Sequence, residues 1–467
     1  MRPDGEAMRK SNPVQTVLSV AACKLTRNLL RLTKRGGTAL PGKVARVFAP
    51  NILETVSEGM EIIVVTGTNG KTTTCRMLEH AFTSSGRECL SNKSGANLLS
   101  GVTAELTCNA TWRGRPKTHY AVIECDEGAL KQVVPLIHPK VIAVTNLFRD
   151  QLDRYGEVMH TADTIRVGIR KVPETVLCLN ADDSLVSSLS FDVPNKVLYY
   201  GLNTPVGDQI DPAVSDAKYC IRCGTQYKYL YHTYAHLGGF YCPKCGYKRQ
   251  EPATAVTKIR KMSASGSDVL MQIGGSSQEV SVGLPAVYNL YNAAAAICAF
   301  TAAGLPAEDI ISSLRDVHSS FGRMENFKLD GTDIQMILVK NPAGCNQALA
   351  YLTSMEEDFN AVFCLNDRTA DGHDISWIWD ADYEQLMKDP HLKKIYVAGD
   401  RAQDMQLRLK YADAEEERIT LCPSKEALLQ AMRESALPVF VLPNYTSMLS
   451  LRAALQEAAG GKNFWEG

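Results

Sequence analysis

The octapeptide Thr66-Gly67-Thr68-Asn69-Gly70-Lys71-Thr72-Thr73 constrains this chain more than any other segment. It follows an apolar, mostly β-branched run, Ile62-Ile63-Val64-Val65, and opens a stretch with helical spacing. A strand that turns through glycines into a helix start is a phosphate cradle. The glycines let backbone N–H groups face phosphate oxygens, and the helix amino terminus adds the positive end of its dipole. The expectation is a nucleotide site formed by Gly67, Thr68, Asn69, Gly70, Lys71, Thr72 and Thr73. Lys71 would neutralise the β/γ-phosphates, and the Thr72 hydroxyl would ligate Mg²⁺. Such a site needs a carboxylate nearby. Glu124 ends the apolar run Tyr120 to Ile123, where it can reach the metal; the alternative is a solvated acidic turn.

Further short apolar runs, at 141–144 and 176–179, alternate with helical segments. Runs of this kind read as buried parallel strands, with ligands at their carboxyl ends. Residues 213–250, rich in Tyr, Cys and Gly, interrupt the pattern; 254–284 read as antiparallel strands, and 289–303 as an alanine-rich helix. Past Phe321-Gly322-Arg323 a second βα series begins, with strands expected at 334–339, 361–365, 394–398, 418–421 and 439–442. The fold class is therefore α/β. A helical segment (1–54) leads into a P-loop ATPase domain (55–322) carrying the insert, and a Rossmann-like domain (323–467) follows. A chain of 467 residues suits about two or three domains.

The insert holds two CxxC knuckles, Cys220-Ile221-Arg222-Cys223 and Cys242-Pro243-Lys244-Cys245, with 18 residues between them. That spacing is the one used by four-thiolate zinc sites. Four thiolates leave no open position on the ion, so a Zn²⁺ at Cys220, Cys223, Cys242 and Cys245 would be structural. An iron–sulfur cluster is the competing occupant. The other ten cysteines are scattered and suit free thiols in a reducing compartment.

The formal net charge of -1 excludes a global basic field that would recruit nucleic acid. Residues 1–12 are polar and carry no secretory pattern, and no run approaches the roughly 18 apolar residues of a membrane helix. A cytoplasmic protein is expected. Val17, Val20, Ala21, Leu25, Leu29 and Leu32 fall at helical spacing among Lys24, Arg27, Arg31, Lys34 and Arg35. Such a helix either packs on its own protein, which is the expectation, or touches the inner face of the membrane.

The loop GTNGKTT resembles the ATP loop of the Mur ligases and folylpolyglutamate synthases. Further segments occur in that family's order. They are Thr145-Asn146 with Asp150-Gln151-Leu152-Asp153; Asn180-Ala181-Asp182-Asp183; Asn289-Leu290-Tyr291-Asn292 before four alanines; and Gly322-Arg323-Met324-Glu325. The resemblance implies an acyl-phosphate ligase, with Asn289 and Asn292 on the adenine side and Arg323 at the hinge, near the phosphoryl charge. Gln151 departs from the family's metal-binding histidine, and Lys340-Asn341-Pro342 from its D-Y-A-H-x-P segment. Only about 50 residues precede the ATPase core, too few for a typical α/β domain that would hold a uridine nucleotide.

An inserted four-cysteine ribbon narrows the resemblance to the MurT-type subunits of lipid II isoglutaminyl synthases, as do Asn341-Pro342-Ala343-Gly344, Leu365-Asn366-Asp367 and the segment 371–380. This implies ATP, Mg²⁺ and Zn²⁺ as cofactors, lipid II at the membrane surface as substrate, and a heterodimer with a GatD-type glutaminase. No nucleic acid or transmembrane segment is expected. By motif position, Asp374 would complete the glutaminase's Cys–His pair in trans, a role physically equivalent to a triad acid. From composition alone, Asp374 reads as a helix cap, and a metal site is a further alternative. The chain has no G-x-C-x-G elbow of its own. Lys71, Glu124 and Asp374 are thus the expected catalytic residues. The rival readings are a self-sufficient amino-acid ligase and a zinc-ribbon ATPase acting as an interaction module.

Overall fold

The computed structural model describes residues 12–32, 39–92, 96–149, 158–206, 216–263, 266–317 and 323–458. They form two compact units. One comprises the described residues through Leu147 and from Val158 to Val317; the other comprises Phe148, Arg149 and the described residues from Arg323 onward.

Three helices open the first unit: α1 (Pro13–Leu32), α2 (Leu40–Phe48) and α3 (Ile52–Ser57). The alternating series follows as β1 (Glu61–Thr66), α4 (Lys71–Ser84), β2 (Cys89–Ser91), α5 (Leu99–Asn109), β3 (Tyr120–Glu124), α6 (Glu127–Ile137), β4 (Val141–Val144), α7 (Val158–Ile169), β5 (Val176–Asn180) and β6 (Val197–Leu202). After the insert come β9 (Thr254–Ser263), β10 (Gly266–Ile273), β11 (Ser276–Val282) and α8 (Val287–Ala302).

All these strands share one nine-stranded sheet in the order β11-β10-β9-β6-β5-β4-β1-β3-β2. The central strands are continuous Val/Ile runs because helices cover both faces. Alternate residues (Ile62, Val64, Ile123, Ile142, Val144, Leu177) face a core shared with α1, α3, α5, α6 and α7. β1 pairs parallel with both β3 and β4, so the chain order reverses at its carboxyl end. That is the crevice where α/β sheets bind ligands. The antiparallel trio appears at 254–282 as expected, but it is not a separate layer. β9 pairs parallel with β6 and extends the same sheet.

The amphipathic helix at 17–32 exists, but it faces the other way from the expectation. Thr16, Ser19, Val20 and Cys23 are buried; Val17, Leu25, Leu29 and Leu32 are exposed. The cause is close approach. Ser19 Oγ donates to Ala45 O on α2 at 2.8 Å, and Cys23 Sγ lies 3.9 Å from Ala104 O on α5. Only small side chains fit such a contact, so the leucines are left outside.

The second unit holds β12 (Arg323–Leu329), β13 (Thr332–Ile337), α9 (Pro342–Leu352), β14 (Phe359–Cys364), β15 (Leu392–Ala398), β16 (Ile419–Leu421), β17 (Val439–Pro443) and α10 (Tyr445–Ala458). Its sheet runs β12-β13-β17-β14-β15-β16. All pairs are parallel except β12 with β13. The five expected strands lie within a few residues of their places; β12 was not foreseen. Strand β17 returns between β13 and β14, which makes a second switch point at the ends of β14 and β17.

Candidate nucleotide site and four-cysteine cluster

The glycine loop leaves β1 at Thr66 and enters α4 at Lys71. Gly67 and Gly70 have φ of 120° and 85°, the left-handed region that glycine adopts without strain. Both are also crowded. A Cβ on Gly67 would lie 2.3 Å from Thr145 Oγ1, and one on Gly70 would lie 2.1 Å from Asn292 Oδ1. The loop is thus moulded by β4's end on one side and by α8 on the other. Asn146 clamps it: its Oδ1 accepts from Asn69 N at 2.9 Å, its Nδ2 donates to Asn69 O at 3.1 Å, and its carbonyl accepts from Thr68 N at 2.8 Å. Asn180 Nδ2 in turn donates to Thr145 O at 3.0 Å.

Lys71 is buried. Its Nζ donates to Glu127 Oε1 at 2.8 Å, to Thr68 O at 3.3 Å and to Gly67 O. Burial works against its charge, but Glu127 and Glu124 outweigh burial and raise its pKa above the ordinary lysine value. Glu127 opens α6, just past the cap Asp126, whose side chain accepts from Gly128 N at 3.0 Å. Glu127 belongs to the acidic turn that follows Glu124, and no motif assigns it a role. The available signal was the second carboxylate three residues after Glu124.

Thr72 Oγ1 donates to Glu124 Oε2 at 2.7 Å. Asn97 Nδ2 donates to Glu124 Oε1 at 3.2 Å, and Asn92 pins the Glu124 main chain from both sides with two 2.8 Å bonds. No motif pointed to Asn92 or Asn97; the β2–α5 connection brings them in. A hydroxyl beside a buried carboxylate is an oxygen donor set that suits Mg²⁺. Thr73 lies half-buried in the first turn of α4. Asn292 Nδ2 donates to Asn289 Oδ1 at 3.1 Å, so the two asparagines form a buried ladder against the loop. The Arg323 side chain and Gln151 lie outside the described residues.

The insert is a ribbon built on β7 (Lys228–Tyr234) and β8 (Leu237–Tyr241). Its knuckles repeat one geometry. Gly224 N donates to Cys220 O at 2.8 Å, Gly246 N donates to Cys242 O at 3.1 Å, and both glycines have positive φ. The four sulfurs of Cys220, Cys223, Cys242 and Cys245 lie within 4.8 Å of one another. With metal–sulfur bonds of about 2.3 Å, a tetrahedral site has sulfurs roughly 3.8 Å apart, so the cluster fits a thiolate-bound ion. Tyr227, Phe240 and Tyr247 give the ribbon a small core of its own. The 180–183 turn docks it on the sheet. Asp182 bonds the Arg249 Nε at 2.5 Å and accepts from Leu202 N and Tyr291 OH, while Asp183 faces the buried His236 at 3.5 Å. His236 is therefore turned toward Asp183 and is not part of the four-cysteine group.

In the second unit, Asn366 and Asn444 close the switch point. Asn366 N donates to Asn444 Oδ1 at 3.2 Å and Asn444 Nδ2 donates to Asn366 O at 2.6 Å. Buried Asp371 accepts from Thr446 N at 2.8 Å and from the Thr446 hydroxyl. Lys340, Asp371, Asp374 and Trp377 line the cleft above. Asp374 is half-buried at the cleft edge, and its Oδ1 accepts from Ser376 N at 2.8 Å. Its hydrogen bonds with Ser376 hold its pKa below the ordinary value. It thus shapes the start of a short 3-10 turn, Ser376–Asp380, and also presents a carboxylate to the cleft. Asn341, from the Lys340-Asn341-Pro342 segment, caps α9 through Gly344 N at 2.8 Å.

The sheet order and the loop at its switch point define a Mur-ligase-type fold. A pseudomurein peptide ligase type C from Methanothermus fervidus superposes with a TM-score of 0.64 at 21% identity, over 85% of this chain and 78% of that one. A folylpolyglutamate synthase from Thermotoga maritima does so with a TM-score of 0.58 at 14% identity, over 90% and 95%. The Mur ligase middle domain model matches residues 65–223, and the MurT ligase C-terminal model matches residues 338–448. The MurT subunit of the glutamine-hydrolysing lipid II isoglutaminyl synthase from Staphylococcus aureus (strain COL) is 33% identical over 452 residues, covering 95% of this chain and 98% of that protein. The same subunit from Streptococcus pneumoniae (strain ATCC BAA-255 / R6) is 33% identical over 445 residues, covering 95% and 97%. This chain belongs to the MurT family of Mur-type ligases.

Proposed function

We propose that this chain is the synthetase subunit that amidates the D-glutamate α-carboxylate of the lipid II stem peptide. A carboxylate oxygen attacks the γ-phosphorus of ATP, and ADP leaves. Ammonia then attacks the acyl carbon, the C–O bond to phosphate breaks, the nitrogen loses a proton, and D-isoglutamine results. Ammonia comes from a GatD-type glutaminase partner. The paired arrangement of Lys71 with Glu127 and Thr72 with Glu124 at the mouth of the glycine loop carries this reading.

Lys71 holds positive charge where the transferring phosphoryl group develops negative charge. Glu127 positions Lys71, and Asn97 positions Glu124. Thr72 and Glu124 would hold Mg²⁺, which supplies charge neutralisation across the phosphates. The loop's backbone N–H groups bind phosphate oxygens, with Asn289 and Asn292 supporting the loop from α8. The four cysteines would hold Zn²⁺ as a structural ion. Asp374 stands at the cleft edge as the acid offered to the partner's histidine.

The test uses the chain co-purified with its glutaminase partner, lipid II, ATP and glutamine, with mass spectrometry of the product. Conversion of one carboxylate to an amide, at the cost of one ATP, is expected. Transfer of an amino acid to the substrate without a second subunit would establish the self-sufficient ligase instead. ATP hydrolysis with no amide formed would establish the interaction module.

A further inference from the structure

Helix α1 carries an apolar stripe on its outer side. Val14, Leu18, Leu25, Leu29 and Leu32 share one face at helical spacing, with Leu25 67% and Leu32 81% exposed. The stripe has apolar neighbours on both flanks. α2 meets α1 at Ser19 and exposes Val47 at 79%, along with Phe48. On the other flank, Lys24 Nζ lies 4.8 Å above the ring of Trp112, which is 59% exposed. Gly114, in the same loop as Trp112, abuts α1: a Cβ there would lie 2.5 Å from Thr16 Cγ2.

The charge around this surface is predominantly positive. Helices α1 and α2 contain Lys24, Arg27, Arg31, Lys43 and Arg46 and no acidic residue. The Trp112 loop adds exposed Arg113, Arg115 and Lys117. Glu105 of α5 offsets Arg27 at 3.5 Å. The local excess of cations contrasts with a whole-chain net charge of -1. Exposed leucines, an interfacial tryptophan and flanking Lys/Arg together are the pattern of a surface that lies in the headgroup region of an anionic bilayer. A protein partner would need acidic groups to meet these cations, and a second copy would set eight like-signed side chains against eight more.

We propose that α1, α2 and the 111–117 loop form a peripheral docking surface for an anionic phospholipid bilayer. The inference goes beyond the amidation reading and does not depend on it.

The full chain with its co-purified partner is mixed with vesicles of phosphatidylglycerol and phosphatidylcholine that contain no lipid II, and flotation is measured. Wild-type protein floats with anionic vesicles and binds neutral ones at least about tenfold less, since each basic residue near the surface contributes on the order of 1 kcal/mol. Leu18→Glu/Leu25→Glu, at two exposed positions, lowers partitioning by about tenfold or more; so does Arg113→Ser/Arg115→Ser/Lys117→Ser. Thermal melts of both variants stay near wild type, and two independent surface variants guard against a folding artefact. Wild-type protein left unbound by anionic vesicles overturns the proposal. Binding unchanged in both variants does so too, and a Leu18/Leu25-dependent dimer by sedimentation would assign the face to a second copy. Amidation of detergent-solubilised lipid II, measured in parallel, reads the catalytic proposal separately: loss of flotation with retained amidation in the variants separates docking from chemistry.

Discussion

Lys71 joins the fold and the chemistry in one side chain. Buried against Glu127 at 2.8 Å, it is an ion pair in low dielectric and, in the proposed nucleotide site, the phosphate-facing cation. Removing the acid leaves the ammonium buried with one strong partner fewer. Glu127→Ala should therefore destabilise the protein by about 3–5 kcal/mol, the cost of breaking a buried pair, whereas Glu127→Gln keeps a hydrogen bond and should lose less. Urea unfolding of the two variants gives the comparison; equal stability of Glu127→Ala and wild type would remove the positioning role. Lys71→Ala and Thr72→Ala should each lower amidation by about 10²-fold or more while the fold persists. Near-wild-type rates from either variant would refute the nucleotide site. Asp374 separates two roles that look alike in the structure. As a turn residue bonded to Ser376 N, its loss costs about 1 kcal/mol and lowers all activities alike. As the acid of a partner's Cys–His pair, its loss removes about 10⁴-fold from glutamine-dependent amidation and spares the reaction supplied with ammonium. Running Asp374→Ala with both nitrogen sources decides between them.

Among the elements, the ribbon and α8 are the informative pair. The ribbon's own core is small, with Tyr227, Phe240 and Tyr247 at its centre, so an ion bound by the four sulfurs would contribute a large share of its order. One Zn²⁺ per chain is expected by elemental analysis, and Cys220→Ser/Cys242→Ser should lose it. An absorption spectrum of iron–sulfur type would replace zinc with a cluster. The ribbon is also tied to the nucleotide loop. Tyr291 of α8 bonds Thr233 of β7 at 2.7 Å and also bonds Asp182, and Asn292, the next residue, presses on Gly70. The NADD turn was legible as a motif, but its role as the ribbon's dock was not, because Arg249 and Gly238 reach it from some 60 residues away. Strand β12 was missed for a related reason. It pairs antiparallel with β13 at a sheet edge, and Arg323–Leu329 (RMENFKL) carries charge inside the strand, as edge strands do.

At the scale of the molecule, the chain has a glycine loop at the switch point of its first sheet, a four-cysteine cluster and, in its second unit, a cleft lined by Lys340, Asp371, Asp374 and Trp377. In the proposed amidation, a second, ammonia-producing subunit would complement these parts. Among the described residues no helix is long and apolar enough to cross a membrane.

What the amino-acid sequence determined by itself was local and periodic. The strand–glycine–helix turn at 62–73, the CxxC knuckles and the continuous Val/Ile runs are all patterns written among residues close in the chain, which spacing records directly. Helix α1 was legible as a helix for the same reason. The tertiary structure decided which of its faces is inside, because the choice depends on how closely α2 and α5 approach it. Tertiary structure likewise brought Glu127 to Lys71, Asn97 to Glu124 and Asn292 to Gly70, across separations of 27 to more than 200 residues. A polar side chain carries no periodic mark of the distant partner it will meet; only the closing of the sheet and the packing of helices on its faces supply that information.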